Sequence, residues 1–104
     1  MVGVEWDSRK EQANLRKHHF DFTSASLIWA GPVIEKIDDR REYRETRIIA
    51  IGEAAGCIIV VVYTWRGQDR RIISARKANS REKRLFEEEI RRRDRSPRDR
   101  LGSR

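Results

Sequence analysis

The chain has 104 residues, enough for one domain with a single modest core. Its formal net charge is +7, and residues 91–104 (RRRDRSPRDRLGSR) carry most of this positive charge. The single cysteine excludes an intramolecular disulfide, and the longest apolar run, Cys57–Tyr63, is too short to cross a membrane. These features predict one cytoplasmic domain over residues 1–90, followed by a basic, disordered tail at 91–104.

The N-terminal third of the chain predicts one short strand and two helices. Val4–Trp6 is short and could pair as an edge strand. A helix is predicted over residues 8–18, opened by Asp7 or Ser8, and Ser8 and Glu11 have the spacing of a capping box. A second helix is predicted over 23–30, and the Gly-Pro pair that follows ends it because proline cannot continue a helix.

Four strands follow, at residues 33–37, 46–52, 58–65 and 70–76. A last helix is predicted from its N-cap Asn79 to about Ile90, with Glu82 at the position that completes a capping box. The third of these strands is apolar almost throughout, which is typical of a central strand covered on both faces. The short connections imply antiparallel neighbours. The predicted fold class is therefore α+β, with a four-stranded antiparallel sheet, two N-terminal helices and one C-terminal helix.

The last predicted strand is strongly basic. Strict alternation of side chains puts Arg70 and Arg76 on one face, and Arg71 and Lys77 on the other. A guanidinium can hold a phosphate through two parallel hydrogen bonds, and Arg76 also lies beside the N-terminus of the last helix, where anions are favoured. These residues are candidates for phosphate contacts. The alternative is that they are solvated or paired with acidic residues such as Glu45.

Two other groups could take part in nucleic-acid chemistry. His18, which follows Lys17 at the end of the first helix, has an ordinary pKa near neutrality, as acid–base catalysis requires. The alternative is that cations at this position only stabilise the helix C-terminus. Trp65 beside Arg66 is suited to base stacking, unless it packs within the sheet. Sequence patterns for zinc, P-loop or dinucleotide sites are absent, so we predict no metal and no cofactor.

The sequence resembles the BrnT family of bacterial type II toxins over residues 4–89. The resemblance is carried by VEWD at 4–7, by VVYTWRG at 61–67 and by RIISARKANSREKRLFEE at 71–88, and it is most specific over Arg71–Glu82. Further positions that match the family are Lys10, Asn14, Lys17, His18, Phe22, Ala25, Pro32, Glu45, Arg47 and Gly52.

This resemblance implies a RelE-like fold and the toxin of a type II toxin–antitoxin system. The activity that it implies is a metal-independent endoribonuclease that cleaves RNA and inhibits translation. It also implies a BrnA-like ribbon-helix-helix antitoxin that neutralises the toxin, with operator DNA contacted only through the toxin–antitoxin complex. The alternative is a non-catalytic RelE-like module that binds antitoxin or nucleic acid.

Carried over to this sequence, the resemblance also implies two sets of site residues. The candidate catalytic residues are Lys17, His18, Arg47, Arg71 and Arg76. The candidate RNA contacts are Trp65, Arg66, Arg70 and Lys77. The sequence departs from the family at Phe86, where relatives often have tyrosine. If that hydroxyl takes part in catalysis, the departure would affect activity; if the position packs on the sheet, phenylalanine serves equally well.

Overall fold

The computed structural model describes residues 2–94, which form one sheet of five strands together with three α-helices and one 3₁₀ helix. In chain order the elements are β1 (Val4–Trp6), α1 (Ser8–His18), α2 (Phe22–Ala25), the 3₁₀ helix (Ser26–Ala30), β2 (Val33–Ile37), β3 (Arg47–Ala54), β4 (Cys57–Arg66), β5 (Asp69–Lys77) and α3 (Ser80–Asp94). The sheet order is β1-β5-β4-β3-β2. The predicted tail is helical as far as Asp94, and the rest of it lies outside the described residues.

The prediction of a four-stranded antiparallel sheet is wrong. β1 is a fifth strand and runs parallel to β5, with Val4 opposite Arg70 and Trp6 opposite Ile72, while β2 to β5 are antiparallel neighbours. Parallel pairing is possible because several elements separate β1 from β5, so no tight turn dictates the strand direction. The α+β class is retained.

Each face of the sheet carries a hydrophobic core. The larger core lies under α2 and the 3₁₀ helix, and Phe22, Ile28 and Tyr63 are almost completely buried in it. The smaller core lies under α3, where Phe86 packs in a cluster with Val60. Because β4 contributes to both cores, it is the doubly covered central strand that its apolar sequence predicts.

The N-terminus of α1 differs in detail from its prediction. Asp7 caps the helix, with its carboxylate accepting a hydrogen bond from the backbone N–H of Arg9 at 2.7 Å. The predicted capping box between Ser8 and Glu11 does not form, because the Glu11 carboxylate instead accepts from the backbone N–H of Phe22 at 2.9 Å. Glu11 thereby ties α1 to α2.

Asn14 anchors α1 to the edge of β5. Its Nδ2 donates to the carbonyl oxygens of Phe20 and Ala75, both at 2.8 Å, and its Oδ1 accepts from the backbone N–H of Ala75 at 3.1 Å. The paired part of β1 ends opposite Ile72. Beyond Ile72, the Asn14 side-chain amide therefore takes the place of β1 as the hydrogen-bonding partner of β5. These hydrogen bonds bring the C-terminal end of α1 to the sheet.

Replacing Asn14 with alanine should lower the free energy of unfolding by about 2–4 kcal/mol, because it leaves buried backbone groups of Phe20 and Ala75 without partners. Urea unfolding followed by circular dichroism measures the change. The matched control is Gln12→Ala at an exposed position of the same helix, which should change stability by less than about 0.5 kcal/mol. An unchanged midpoint for Asn14→Ala would contradict this role.

β5 contains a bulge at Ile73. Ile72 and Ser74 pair with consecutive residues of β4, and Ile73 between them has no partner in the ladder. Ile72 lies in the larger core, while Ser74 and Arg76 turn to the face that α3 covers. The extra residue thus changes the alternation, and the predicted grouping of Arg70 with Arg76 on one face is wrong.

Candidate active site

A cleft of about 480 Å³ opens on the face of the sheet that α3 partly covers. Its floor is apolar and is formed by Ile34, Ile49, Ile51, Val60 and Val62. Leu85 adds a further apolar side chain, and the polar lining, which has more basic than acidic residues, is formed by His18, Glu35, Lys36, Arg40, Ser74, Arg76 and Glu82. An apolar floor with cations around it suits a ligand that combines a flat ring with a phosphate.

Arg76 is held in this cleft by Glu82. Nη1 and Nη2 of the guanidinium donate to Oε1 and Oε2 of the carboxylate, both at 2.8 Å. Oε1 also accepts from the backbone N–H of Asn79 at 2.9 Å, and Oδ1 of Asn79 accepts from the backbone N–H of Glu82 at 2.8 Å. The predicted capping box between Asn79 and Glu82 is confirmed, and it fixes the Glu82 carboxylate that orients Arg76. The hydrogen bonds between the two side chains lower the pKa of Glu82 and raise that of Arg76.

One edge of the Arg76 guanidinium remains available. The group has five N–H donors; Glu82 takes one from each Nη, and Nη1 also donates to the carbonyl oxygen of Lys77 at 3.3 Å. Within residues 2–94, neither Nε nor the second hydrogen of Nη2 has an acceptor. These two donors point the same way and match two oxygens of a phosphate.

His18 lines the same cleft from the C-terminal end of α1. Burial lowers the pKa of its imidazole, and the positive charges of Lys17 and Arg76 lower it further. The ring is therefore neutral at neutral pH and can accept a proton. His19 follows in the left-handed conformation, with φ 59°, and its N–H closes the helix on the Leu15 carbonyl.

Arg47 and Arg71 flank Thr64 across the sheet. Both pair directly with Thr64 in the central strand, so their Cα atoms are about 10 Å apart. β3 pairs regularly along its length, so Arg47 lies on the same face as Ile49 of the cleft floor. The two arginines are not part of the cleft lining. They form a second basic group beside the cleft.

Other side chains hold this second group in place. Nη1 of Arg71 donates to the carboxylate of Glu5 on β1 at 2.7 Å. The alternative that these arginines pair with acidic residues therefore holds for Arg71, although its partner is Glu5 and not Glu45. The Arg47 guanidinium lies 4.2 Å from the centre of the Tyr43 ring and 3.7 Å from the Glu45 carboxylate. The sequence does not predict Glu5 as the partner of Arg71, because it predicts Val4–Trp6 as an edge strand without indicating that this strand pairs with β5.

The loop between β2 and β3 adds a residue that the sequence analysis missed. The buried carboxylate of Asp38 accepts hydrogen bonds from Arg40 at 2.7 and 2.8 Å and from the Tyr43 hydroxyl at 3.1 Å. The bonds from Arg40 hold the pKa of Asp38 well below its usual range. They also fix Arg40 where it lines the cleft. In the sequence this segment reads only as a charged loop, and nothing in it shows which carboxylate is buried.

Trp65 and Arg70, two candidate RNA contacts, lie on the opposite face of the sheet. The Arg70 guanidinium lies 4.5 Å from the ring centre of Trp29 and 4.9 Å from that of Trp65. The Trp65 ring packs edge-on against Tyr63, which belongs to the larger core. The other candidates outside the cleft are exposed and are Lys17 on α1, Arg66 at the β4–β5 hairpin and Lys77 at the end of β5.

Phe86 does not reach the cleft. Only 7% of the residue is exposed, and its ring packs in the smaller core beside Val60 and Ile51. The position therefore packs on the sheet, as one of the two sequence interpretations has it. None of the helices among the described residues is long and apolar enough to span a membrane.

Comparison with known proteins supplies the class and then the family. The model of the family described as "Ribonuclease toxin, BrnT, of type II toxin-antitoxin system" matches residues 6–82, which makes the protein a toxin of a type II toxin–antitoxin system. Within that class, the chain belongs to the BrnT family of ribonuclease toxins. The resemblance seen in the sequence is confirmed.

One solved structure extends this result to the fold. The crystal structure of the Brucella abortus ribonuclease toxin, BrnT, matches with a TM-score of 0.57 and 28% sequence identity. The match covers 77% of this chain and 100% of that chain. No curated protein sequence matches the chain.

Proposed function

We propose that the protein is a metal-independent endoribonuclease that cleaves RNA in the cleft lined by His18 and Arg76. The observation that carries this proposal is that α1 and β5 bring these two side chains to one apolar-floored cleft. One is an imidazole whose pKa is lowered, and the other is a guanidinium that Glu82 already orients. The ribonuclease description of the family supports it.

In the proposed reaction the ribose 2′-oxygen attacks the adjacent phosphorus and the bond from phosphorus to the 5′-oxygen breaks. His18 accepts the proton of the 2′-hydroxyl. Arg76 donates two hydrogen bonds to the non-bridging oxygens and stabilises the charge that develops on them. Lys36, which also lines the cleft, donates a proton to the leaving 5′-oxygen. The products are a 2′,3′-cyclic phosphate and a 5′-hydroxyl.

The remaining basic residues on this face would guide the RNA backbone. Arg40 lies at the cleft, and Arg47 and Arg71 continue the positive surface along the sheet. Phosphate contacts of this kind add affinity without reading sequence. Cleavage of messenger RNA in the cytoplasm would inhibit translation. A BrnA-like ribbon-helix-helix antitoxin would neutralise the toxin, with operator DNA bound only through the complex.

The test is cleavage of an end-labelled single-stranded RNA by the purified protein in excess EDTA. We expect fragments that end in a 2′,3′-cyclic phosphate, because no metal takes part in the proposed reaction. A His18→Gln protein purified in the same way controls for contaminating ribonucleases. Cleavage that requires added divalent ions contradicts the mechanism. A folded protein that cleaves no RNA favours the non-catalytic alternative.

A further inference from the structure

A partly exposed surface on the opposite face of the sheet has no part in the proposed reaction. It consists of Trp29, Ile37, Trp65 and Arg70, and is termed the aromatic patch. Ile37 is 65% exposed and Trp65 is 43% exposed. Ile37 pairs directly with Ile48, which packs on the larger core, so Ile37 belongs to the face that carries this core. The three strand residues of the patch therefore lie on that face, and Trp29 of the 3₁₀ helix stacks against Arg70 there.

Arg70 has no acidic partner in this patch. Its guanidinium is stacked near the rings of Trp29 and Trp65, and no carboxylate within residues 2–94 forms an ion pair with it. The carboxylate of Asp69 accepts from the backbone N–H of Gly3 and that of Glu35 accepts from the Tyr63 hydroxyl, and neither forms an ion pair with Arg70. Nε of Arg70 and Nε1 of Trp29 are buried without a hydrogen-bond partner in the described part of the chain.

We propose that the aromatic patch is the docking surface for the antitoxin, through a segment that places apolar side chains on Ile37 and Trp65 and a carboxylate on Arg70. Tryptophan and arginine are the residues that most often dominate protein–protein binding energy. The charge of Arg70, which forms no ion pair within residues 2–94, favours an acidic group on the partner. RNA suits the patch less well, because its four residues include one cation and an exposed isoleucine that offers nothing to a phosphate backbone.

The position of the patch is consistent with neutralisation of the toxin. β2 is an edge strand of the sheet, and Ile37 is its last residue. Ile34 and Lys36 of the same strand line the cleft on the other face. A segment anchored at Ile37 can therefore continue around this edge and reach the cleft.

The experiment measures the affinity of the cognate antitoxin for two variants by titration calorimetry. Ile37→Ser and Arg70→Gln should each weaken binding by about tenfold or more. Ile37 is exposed at an edge, so its replacement leaves the fold intact even if Arg70→Gln does not. The control is Leu15→Ser, which removes an apolar side chain that is 40% exposed on α1, a helix that contributes no patch residue, and should bind as wild type does.

Wild-type antitoxin affinity in both patch variants would overturn the proposal. It would also be overturned if Arg70→Gln slowed RNA cleavage without changing antitoxin affinity, because the patch would then serve RNA. The inference rests on membership of a toxin–antitoxin family and not on the chemistry of the cleft. A protein that binds antitoxin through the patch but cleaves no RNA would contradict the proposed catalysis and leave the docking surface supported.

Discussion

Replacing Arg76 with alanine should lower kcat for RNA cleavage by about 10²–10³-fold, with a smaller effect on KM. The donors that are lost act on charge that develops on the phosphate in the transition state, so the rate suffers more than substrate binding. Single-turnover cleavage of a labelled RNA measures the effect. Arg76→Lys should recover only part of the rate, because an ammonium group cannot offer two parallel donors.

The Arg76→Ala result contains a second effect, since the carboxylate of Glu82 is then left unpaired in the cleft. Its negative charge would repel the phosphate. The double variant Arg76→Ala/Glu82→Gln removes that repulsion, and the difference between the two proteins measures it. Arg81 on α3 is exposed, and Arg81→Ala is the matched control, with a rate within about twofold of wild type. A folded Arg76→Ala protein with the wild-type rate would contradict the proposed mechanism.

Replacing His18 with glutamine should lower kcat/KM by about 10²–10⁴-fold and abolish its rise with pH. The neutral imidazole is the active form, so activity increases as the ring loses its proton. Burial and the nearby positive charges lower the pKa of His18 from its usual 6.5. The half-maximal point of the wild-type pH profile should therefore lie below pH 6.5, with a plateau at neutral pH.

The pH profile also links His18 to Arg76. The charge of Arg76 contributes to the lowered pKa of His18, so removing it should shift the half-maximal point towards higher pH in the residual activity of Arg76→Ala. His19→Asn tests the neighbouring imidazole, since asparagine tolerates the left-handed conformation at this position, and should keep the wild-type profile. A His18→Gln protein that retains the rising limb would show that another group is the base.

The features predicted well from the sequence depend on residues that are close in the chain. The bounds of α1 and β2 agree with the predicted helix and strand, and the Asn79–Glu82 capping box forms as its spacing indicates. Capping depends on residues three apart, and strand periodicity on residues two apart, so both are visible in a single sequence. The family resemblance likewise rests on short strings and single positions spread over residues 4–89, and the family match over residues 6–82 confirms it.

The errors concern contacts between distant segments. β1 has three residues, too few to show that its partner is β5 or that the pairing is parallel. The bulge at Ile73 depends on the register between β4 and β5, and it alone moves Arg76 to the face of the cleft. The burial of Asp38, which fixes Arg40 at the cleft, likewise has no local signal.

The sequence by itself determined the bounds of α1, the approximate positions of the other helical segments and of the antiparallel strands, the family resemblance, and the presence of His18 and Arg76 as basic residues at the ends of two elements. Only the tertiary structure decided that these two side chains share a cleft, while Trp65 and Arg70 face the other way. The physical reason is that local preferences act over a few residues. Strand pairing, bulges and the choice of buried polar groups depend on which distant surfaces are packed together.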